Sequence, residues 1–389
     1  MRLNELLFVA VAPLIAVGWG LADELPVATV KLPISQTVHV AEFGAKCDGT
    51  ADDTVAMRNA ASAIPLSGAV LQFPSGVCVM HGTIYLKSHT HVLGDRTTLL
   101  AAAPWKADYL YGYAFMENAH YNAITIMDKD ISVKGMTFDY GTFAPFIAPA
   151  GGKHAVRFIK ARNTVVESNV FLLRGAEDAV AGLGVDNMRV QGNSAYEFGN
   201  CAYDFWAAPT NVQVIGNYAE TEKSAQMVNF NPERDNWDNS GAVARGLVVA
   251  DNTLVVTGAQ AVSSMIEPLG PKTSVRDVTI TGNRFHNAFL AMRGDVADAK
   301  IHDNIFSDIA GPWSVFATYP HWGGAGEAIE FSRNVIVNPQ SRPPEVGVIR
   351  MESAHSAVTD NVVIGSSYKA GKIYHGPFSG HEEGNIFRD

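Results

Sequence analysis

Val166-Glu167-Ser168-Asn169-Val170-Phe171 is echoed by Val190-Gln191-Gly192-Asn193-Ser194-Ala195, and again by Val214-Ile215-Gly216-Asn217-Tyr218-Ala219. The setting is constant: an apolar residue, two variable residues, Asn, any residue, then a second apolar one. It returns around Asn252, Asn283, Asn304, Asn334 and Asn361, and successive Asn residues lie 24, 24, 35, 31, 21, 30 and 27 apart. A repeat in the twenties with elastic insertions marks a solenoid whose loops vary on one side. Each unit alternates apolar and polar residues on either side of a tight corner, and none reads as a long helix. Asn suits such a corner because it tolerates the left-handed conformation and can hydrogen-bond along a stack of identical turns. The fold expected is an all-β, right-handed parallel β-helix.

The chain has 389 residues, 47 % hydrophobic and 17 % charged, ample for one continuous core. Its net charge of −10 speaks against nucleic acid or an anionic membrane as partner. An acidic polysaccharide is not excluded, because a groove can be locally basic on an acidic protein. Residues Met1 to Ala22 read as a secretory signal, with Arg2, an apolar stretch from Leu6 to Trp19 and small residues at Gly20 and Ala22. The expectation is export, secreted or periplasmic, with no membrane association after cleavage. One β-helix domain is then expected over 23–389, with a cap at about 36–68 and coils over about 69–389. Coils are clearest from Ile131 to Gly365. In an oxidising compartment Cys47 and Cys78 are expected to pair, leaving Cys201 as a buried thiol. Three cysteines without short paired spacing argue against a zinc–cysteine site, and no metal site is expected.

Near the N-terminus, Thr50 or Asp52 can cap a helix running to about Ile64, with Val55, Ala56, Met57, Ala60, Ala61 and Ile64 on its apolar face. An amphipathic helix is suited to covering the open end of a solenoid. The run Phe43-Gly-Ala-Lys-Cys-Asp-Gly-Thr-Ala-Asp-Asp-Thr-Val-Ala-Met-Arg-Asn-Ala, followed by Phe73-Pro74-Ser75-Gly76, resembles the opening of the pectate-lyase-like superfamily. Polygalacturonase-type hydrolases and phage tailspike depolymerases share that opening. The resemblance implies a helix-capped β-helix acting on polysaccharide, with Asp48, Asp52 and Asp53 as cap residues. The chain lacks the Asn-Thr-Asp and Arg-Ile-Lys runs of the polygalacturonase type and the Asp-Pro-His motif of alginate epimerases. Glu177-Asp178 and Phe158-Ile159-Lys160 come nearest, so the likeness implies a superfamily and leaves the reaction open.

Function is therefore read from residues expected to face outward on the strand after each Asn corner. Counting from the corner puts Asp178, Asp204, Trp206, Asn229, Glu267, Arg293 and Arg350 on that face, with Arg157 and Lys160 one coil earlier. Asp178 and Asp204 on adjacent rungs would hold their carboxyl groups roughly 5 to 8 Å apart, a separation that serves glycosidic cleavage. Such a pair would also raise one pKa, as a general acid requires. Equally, Asp178 can hydrogen-bond a turn and Asp204 can pair with Arg157 or Arg174. The catalytic candidates are Asp178, Asp204, Arg157 and Arg293; the substrate-binding candidates are Trp206, Asn229, Glu267, Lys160 and Arg350. Hydrolysis by the Asp pair is favoured and calls on no cofactor. The alternative is a polysaccharide lyase or C5-epimerase acting on a uronate polymer, with an Arg or Lys base and calcium as a possible aid. A non-catalytic carbohydrate-binding β-helix is the third reading. Polysaccharide or oligosaccharide is the partner in all three. Polar and aromatic insertions at 231–243, 311–326 and 144–152 are expected to wall the groove.

Overall fold

A computed structural model describes residues 36–105, 112–120, 127–141, 152–223, 225–233, 241–258, 261–268, 272–309, 314–320, 326–339, 347–365, 373–375 and 380–388. The expected secretory segment and most of the three insertions lie outside the described residues. Within them the chain winds as a right-handed parallel β-helix, with a major sheet of 24 strands and a minor sheet of 11. Every pairing between named strands is parallel, as in Met188 to Val212 and Val190 to Val214. No helix among the described residues is long and apolar enough to cross a membrane.

From Arg162 onward each described coil uses three strands, where the sequence suggests two. Asp186–Gln191 and Ser194–Tyr196 belong to the major sheet on either side of the Asn corner, and Cys201–Trp206 belongs to the minor sheet. Coiling starts well before Ile131: Thr37–His39 already pairs with Ala69–Gln72, and Ile84–Leu86 opens the minor sheet. Inward positions form apolar columns that leave no surface to water. Val166, Val190, Val214 and Val249 are fully buried in one such column, and Phe138 stacks on Phe171 at 5.2 Å in another. β-Branched and aromatic side chains suit these rows because they pack against the rung above and below.

The Asn residues form a continuous ladder. Asn193 is typical: its amide donates to Val166 O at 2.9 Å and to Asn217 Oδ1 at 3.0 Å, while its own Oδ1 accepts from Asn169. The backbone N–H of each Asn donates to the Oδ1 of the next, as from Asn217 to Asn252 at 2.9 Å. The left-handed residue is the one before the Asn, not the Asn itself. Ser168 (φ 56), Gly192 (φ 61), Asp251 (φ 55) and Arg333 (φ 51) take that conformation in successive or later coils. The corner therefore divides two tasks: the preceding residue turns the chain, and Asn satisfies the buried polar groups that the turn exposes. A ninth rung, Asn385, continues the ladder by accepting from Asn361 N at 3.0 Å.

The N-terminal end is closed by the helix Thr54–Ser62, which buries Met57, Ala60 and Ala61. Val55, expected on that face, points to solvent and is 65 % exposed, because one residue of shift around a helix moves a side chain by about 100°. Asp52 Oδ1 accepts from Thr54 N at 2.9 Å. Asp53 instead turns back to accept from the Lys46 and Cys47 amides at 2.7 and 3.1 Å. Cys47 and Cys78 form the expected disulfide, and Cys201 is a buried free thiol. Gly76 must be glycine: its φ is 125°, and a Cβ there would sit 2.3 Å from the Cys47 carbonyl oxygen.

The ladder sets a testable scale. Asn252→Ala leaves the Val214 carbonyl and the Asn217 donors buried without their partner. We expect a loss of about 3 kcal/mol from urea unfolding midpoints. Asn385→Ala, in a partly buried rung, should cost about 1 kcal/mol by the same principle. Equal losses would mean that the ladder does not act through burial.

Candidate functional site

The minor sheet carries the candidate groups. Cross-strand register defines a row on its outer face: Glu117 pairs with Arg157, Arg157 with Ala181, Ala181 with Asp204, and Asp204 with Asn229. Farther along, the row passes through Met265, Ala291 and Ala317 to Arg350. A second row, two residues onward on each strand, holds Ile159, Leu183 and Trp206, and later Arg293 and Tyr319. Glu267 follows Ile266, the register partner of Met292, and so stands beside Arg293. Alternation around the strand keeps Tyr203 and Phe205 in the core while Asp204 and Trp206 face out.

Asp204 is almost wholly buried, and its Oδ1 accepts a 2.6 Å hydrogen bond from Asn229 Nδ2. Burial and then the charge of Asp178 push its pKa up to about 7, against the downward pull of the Asn229 bond and His154. Trp206, half-buried, packs on Ile159, Ala181 and Leu183, leaving its indole N–H without a partner among the described residues.

Asp178 does not stand beside Asp204. The strands are neighbours, but the register partner of Asp204 is Ala181, three residues beyond Asp178. The offset is about 10 Å along the strand. Asp178 stands nine residues after its Asn and Asp204 eleven after its own, and the turn before Asp178 is one residue longer than the turn before Cys201, so two counts of the same parity land on opposite faces. Asp178 lies at the strand entrance, 1 % exposed, accepting from Cys201 N at 3.0 Å and Asn200 Nδ2 at 3.4 Å. Its Oδ2 is 2.7 Å from His154 Nδ1. Burial and the neighbouring Glu177 charge hold its carboxyl well above the usual range. Burial and then the Arg157 charge lower His154 to about 4.

Arg157 faces outward but is not available to a ligand as expected. It and Glu117 are each 1 % exposed and form a two-pronged pair, with both hydrogen bonds 3.1 Å long. Nor do Arg157 or Arg174 pair with Asp204; Arg174 meets Asp139 and Glu197. Lys160 lies beyond the sheet in a left-handed turn position (φ 49), exposed to solvent and with no ion pair among the described residues. Arg293 and Arg350 do face the groove. Their guanidinium carbons sit 5.7 and 5.2 Å from the centre of the Tyr319 ring, and they pair with Glu267 and Glu352 respectively.

Glu117, Tyr319 and Glu352 escape the sequence reading. Glu117 precedes the first Asn of the repeat, so no corner anchors its count. Tyr319 and Glu352 lie in coils whose strands are separated by long insertions, where only the alternation Phe316-Ala317-Thr318-Tyr319 hints at a face.

A family model described as rhamnogalacturonase A/epimerase, pectate lyase-like, matches residues 37–244. No curated protein matches by sequence. Among solved structures, the chain is similar to a hyperthermoactive exopolygalacturonase from Thermotoga maritima, with 15 % identity, 92 % of this chain and 93 % of that one covered, and a TM-score of 0.68. The family 28 exopolygalacturonase of Yersinia enterocolitica gives 13 %, 91 % and 78 % coverage, and 0.69. The A-module of the mannuronan C-5 epimerase AlgE4 from Azotobacter vinelandii gives 13 %, 89 % and 99 %, and 0.60. At such identities the likeness concerns the fold.

The raised Asp204 pKa makes a stability prediction. The group ionises near 3.8 when unexposed to these neighbours and near 7 in the folded chain, so the fold holds the proton more tightly in between. That stabilisation is complete below about pH 4 and lost as pH rises through 7, with roughly 4 kcal/mol as its full size. Asp204→Asn should make the decline in unfolding free energy from pH 4 to 8 visibly shallower. An unchanged decline would show that Asp204 ionises normally in the fold.

Proposed function

The chain belongs to the rhamnogalacturonase A/epimerase family of pectate-lyase-like proteins, and on that premise we propose that it is an exported carbohydrate-active enzyme cleaving glycosidic bonds by hydrolysis. The observation that carries this reading is Asp204: an outward carboxyl in the row flanked by Trp206, Arg293 and Tyr319, with a pKa about 7. A carboxylic acid still protonated near neutrality is what a leaving glycosidic oxygen needs.

In this reading Asp204 gives its proton to the leaving oxygen while water attacks the anomeric carbon. Glu267 takes the proton from that water. It stands two strands and two residues away, about 12 Å between backbones at ordinary β spacings. That leaves room for water and a sugar, as in the wider, inverting arrangement. Asn229 aims the Asp204 carboxyl. Trp206 offers a ring to a sugar face. Arg293 and Arg350 flanking Tyr319 suit a sugar carboxylate, which makes an acidic polysaccharide the favoured substrate. The same pair of arginines supports the second reading, elimination or epimerisation at a uronate. The Cys47–Cys78 disulfide supports export, since such bonds persist in oxidising compartments.

The test is incubation of the protein with neutral and acidic polysaccharides, with and without calcium, following reducing ends and the ultraviolet absorbance of unsaturated ends together. Hydrolysis should yield reducing ends alone, declining as pH rises through about 7. Asp204→Asn and Glu267→Gln should each lower kcat by about 10²- to 10⁴-fold. Both signals rising together would replace hydrolysis by elimination, and silence in both would favour epimerisation or sugar binding.

A further inference from the structure

Behind the sugar face, two coils bring three metal-ligating groups to one point. His154 Nδ1, a Glu177 carboxylate oxygen and an Asp178 carboxylate oxygen all lie within 4.8 Å of one another. The His154 and Asp178 side chains are 7 % and 1 % exposed, whereas Glu177 reaches the solvent side. His154 Nδ1 sits 2.7 Å from Asp178 Oδ2, yet the angle does not make a hydrogen bond, and no other described group satisfies that nitrogen. A buried ring nitrogen aimed at two carboxylates without a bond of its own is an unusual thing to leave in a core.

The surrounding charges point the same way. Arg157 meets Glu117, and the ion-pair partner of Asp178 among the described residues is His154 itself. Two buried carboxyl groups thus share one neighbourhood, and a cation held between His154, Glu177 and Asp178 would take the place of the Asp178 proton. We propose that His154, Glu177 and Asp178 form a binding site for one divalent transition cation of the zinc class, with water completing the shell from the Glu177 side. One imidazole and two carboxylates are a set that Zn²⁺ accepts in four-coordinate geometry. Calcium and magnesium prefer more oxygen donors than this corner supplies, and they have little use for an imidazole. Asp178 is then a ligand whose other oxygen is already fixed by the Cys201 and Asn200 donors, and Tyr140 Oη, donating to the His154 carbonyl at 2.6 Å, holds the histidine backbone. The site stands whatever reaction the outer face performs.

The test is calorimetric titration of chelator-treated protein with ZnCl₂, repeated with MnCl₂ and CaCl₂. We expect one saturable Zn²⁺ site per chain, weaker Mn²⁺ binding and no Ca²⁺ site in the same range. His154→Gln and Glu177→Gln should each weaken Zn²⁺ at least tenfold, while Cys201→Ser leaves it unchanged. Glu177 is the decisive position, since its side chain is outside the core and the variant folds as a matter of surface chemistry; circular dichroism checks this. The proposal is overturned by absence of a saturable site, by affinity indifferent to Glu177→Gln, by loss in Cys201→Ser instead, or by tighter Ca²⁺ than Zn²⁺.

Discussion

From Asn169 onward the coils are held at the spacing of one strand, about 4.8 Å, by asparagines whose amide and carbonyl serve the rungs on either side. A corner in a solenoid leaves backbone donors and acceptors facing inward, where no water reaches them. The Asn ladder satisfies these groups and does so identically from rung to rung, so a coil cannot slip along its neighbour without orphaning several of them. The apolar columns add the larger share of driving force, but they are tolerant of sliding; the ladder is not. The outer rows inherit their alignment from it, and Asp204 meets Asn229 because the rungs beneath are locked in step.

That same hierarchy explains what was legible in the sequence. The Asn repeat, the capping helix, the disulfide and the parallel architecture each rest on local chemistry with a fixed spacing. Asn385 escaped because the position three before it is Glu382, where the other rungs have an apolar residue. The parity of the Asp178 strand escaped for a subtler reason. Turns between the corner and the minor sheet vary by a residue, and each such change swaps the two faces of the strand that follows. Asp204, Trp206, Asn229, Glu267, Arg293 and Arg350 survive that uncertainty; Asp178 does not. The fate of Arg157 was not legible at all, since its partner Glu117 lies 40 residues earlier, across a pairing that only the folded chain defines.

The outer face also shows how a fold with a rigid interior tunes its surface. Charges of opposite sign sit in the same rows, but they are not interchangeable. The Glu117–Arg157 pair is buried away from water, a structural element of the sheet. The Arg293, Tyr319 and Arg350 group is open, each guanidinium sharing its charge between a carboxylate and an aromatic face. Asp204 lies between these extremes, buried enough to favour its neutral form and polar enough in its contacts to release the proton.

The first and the last described rungs are built differently. At one end the helix Thr54–Ser62 and the Cys47–Cys78 crosslink seal the first rungs; at the other, the strands His381–Glu383 and Ile386–Arg388 have exposed side chains, with Ile386 42 % open to solvent. Where stability is summed rung by rung, a seal strengthens the rungs beside it more than those far away. The helix and crosslink thus hold the first rungs beyond what the ladder and the columns give, whereas the rungs bearing Asp204 and Asn229, midway along the minor sheet, rest on ladder and columns alone.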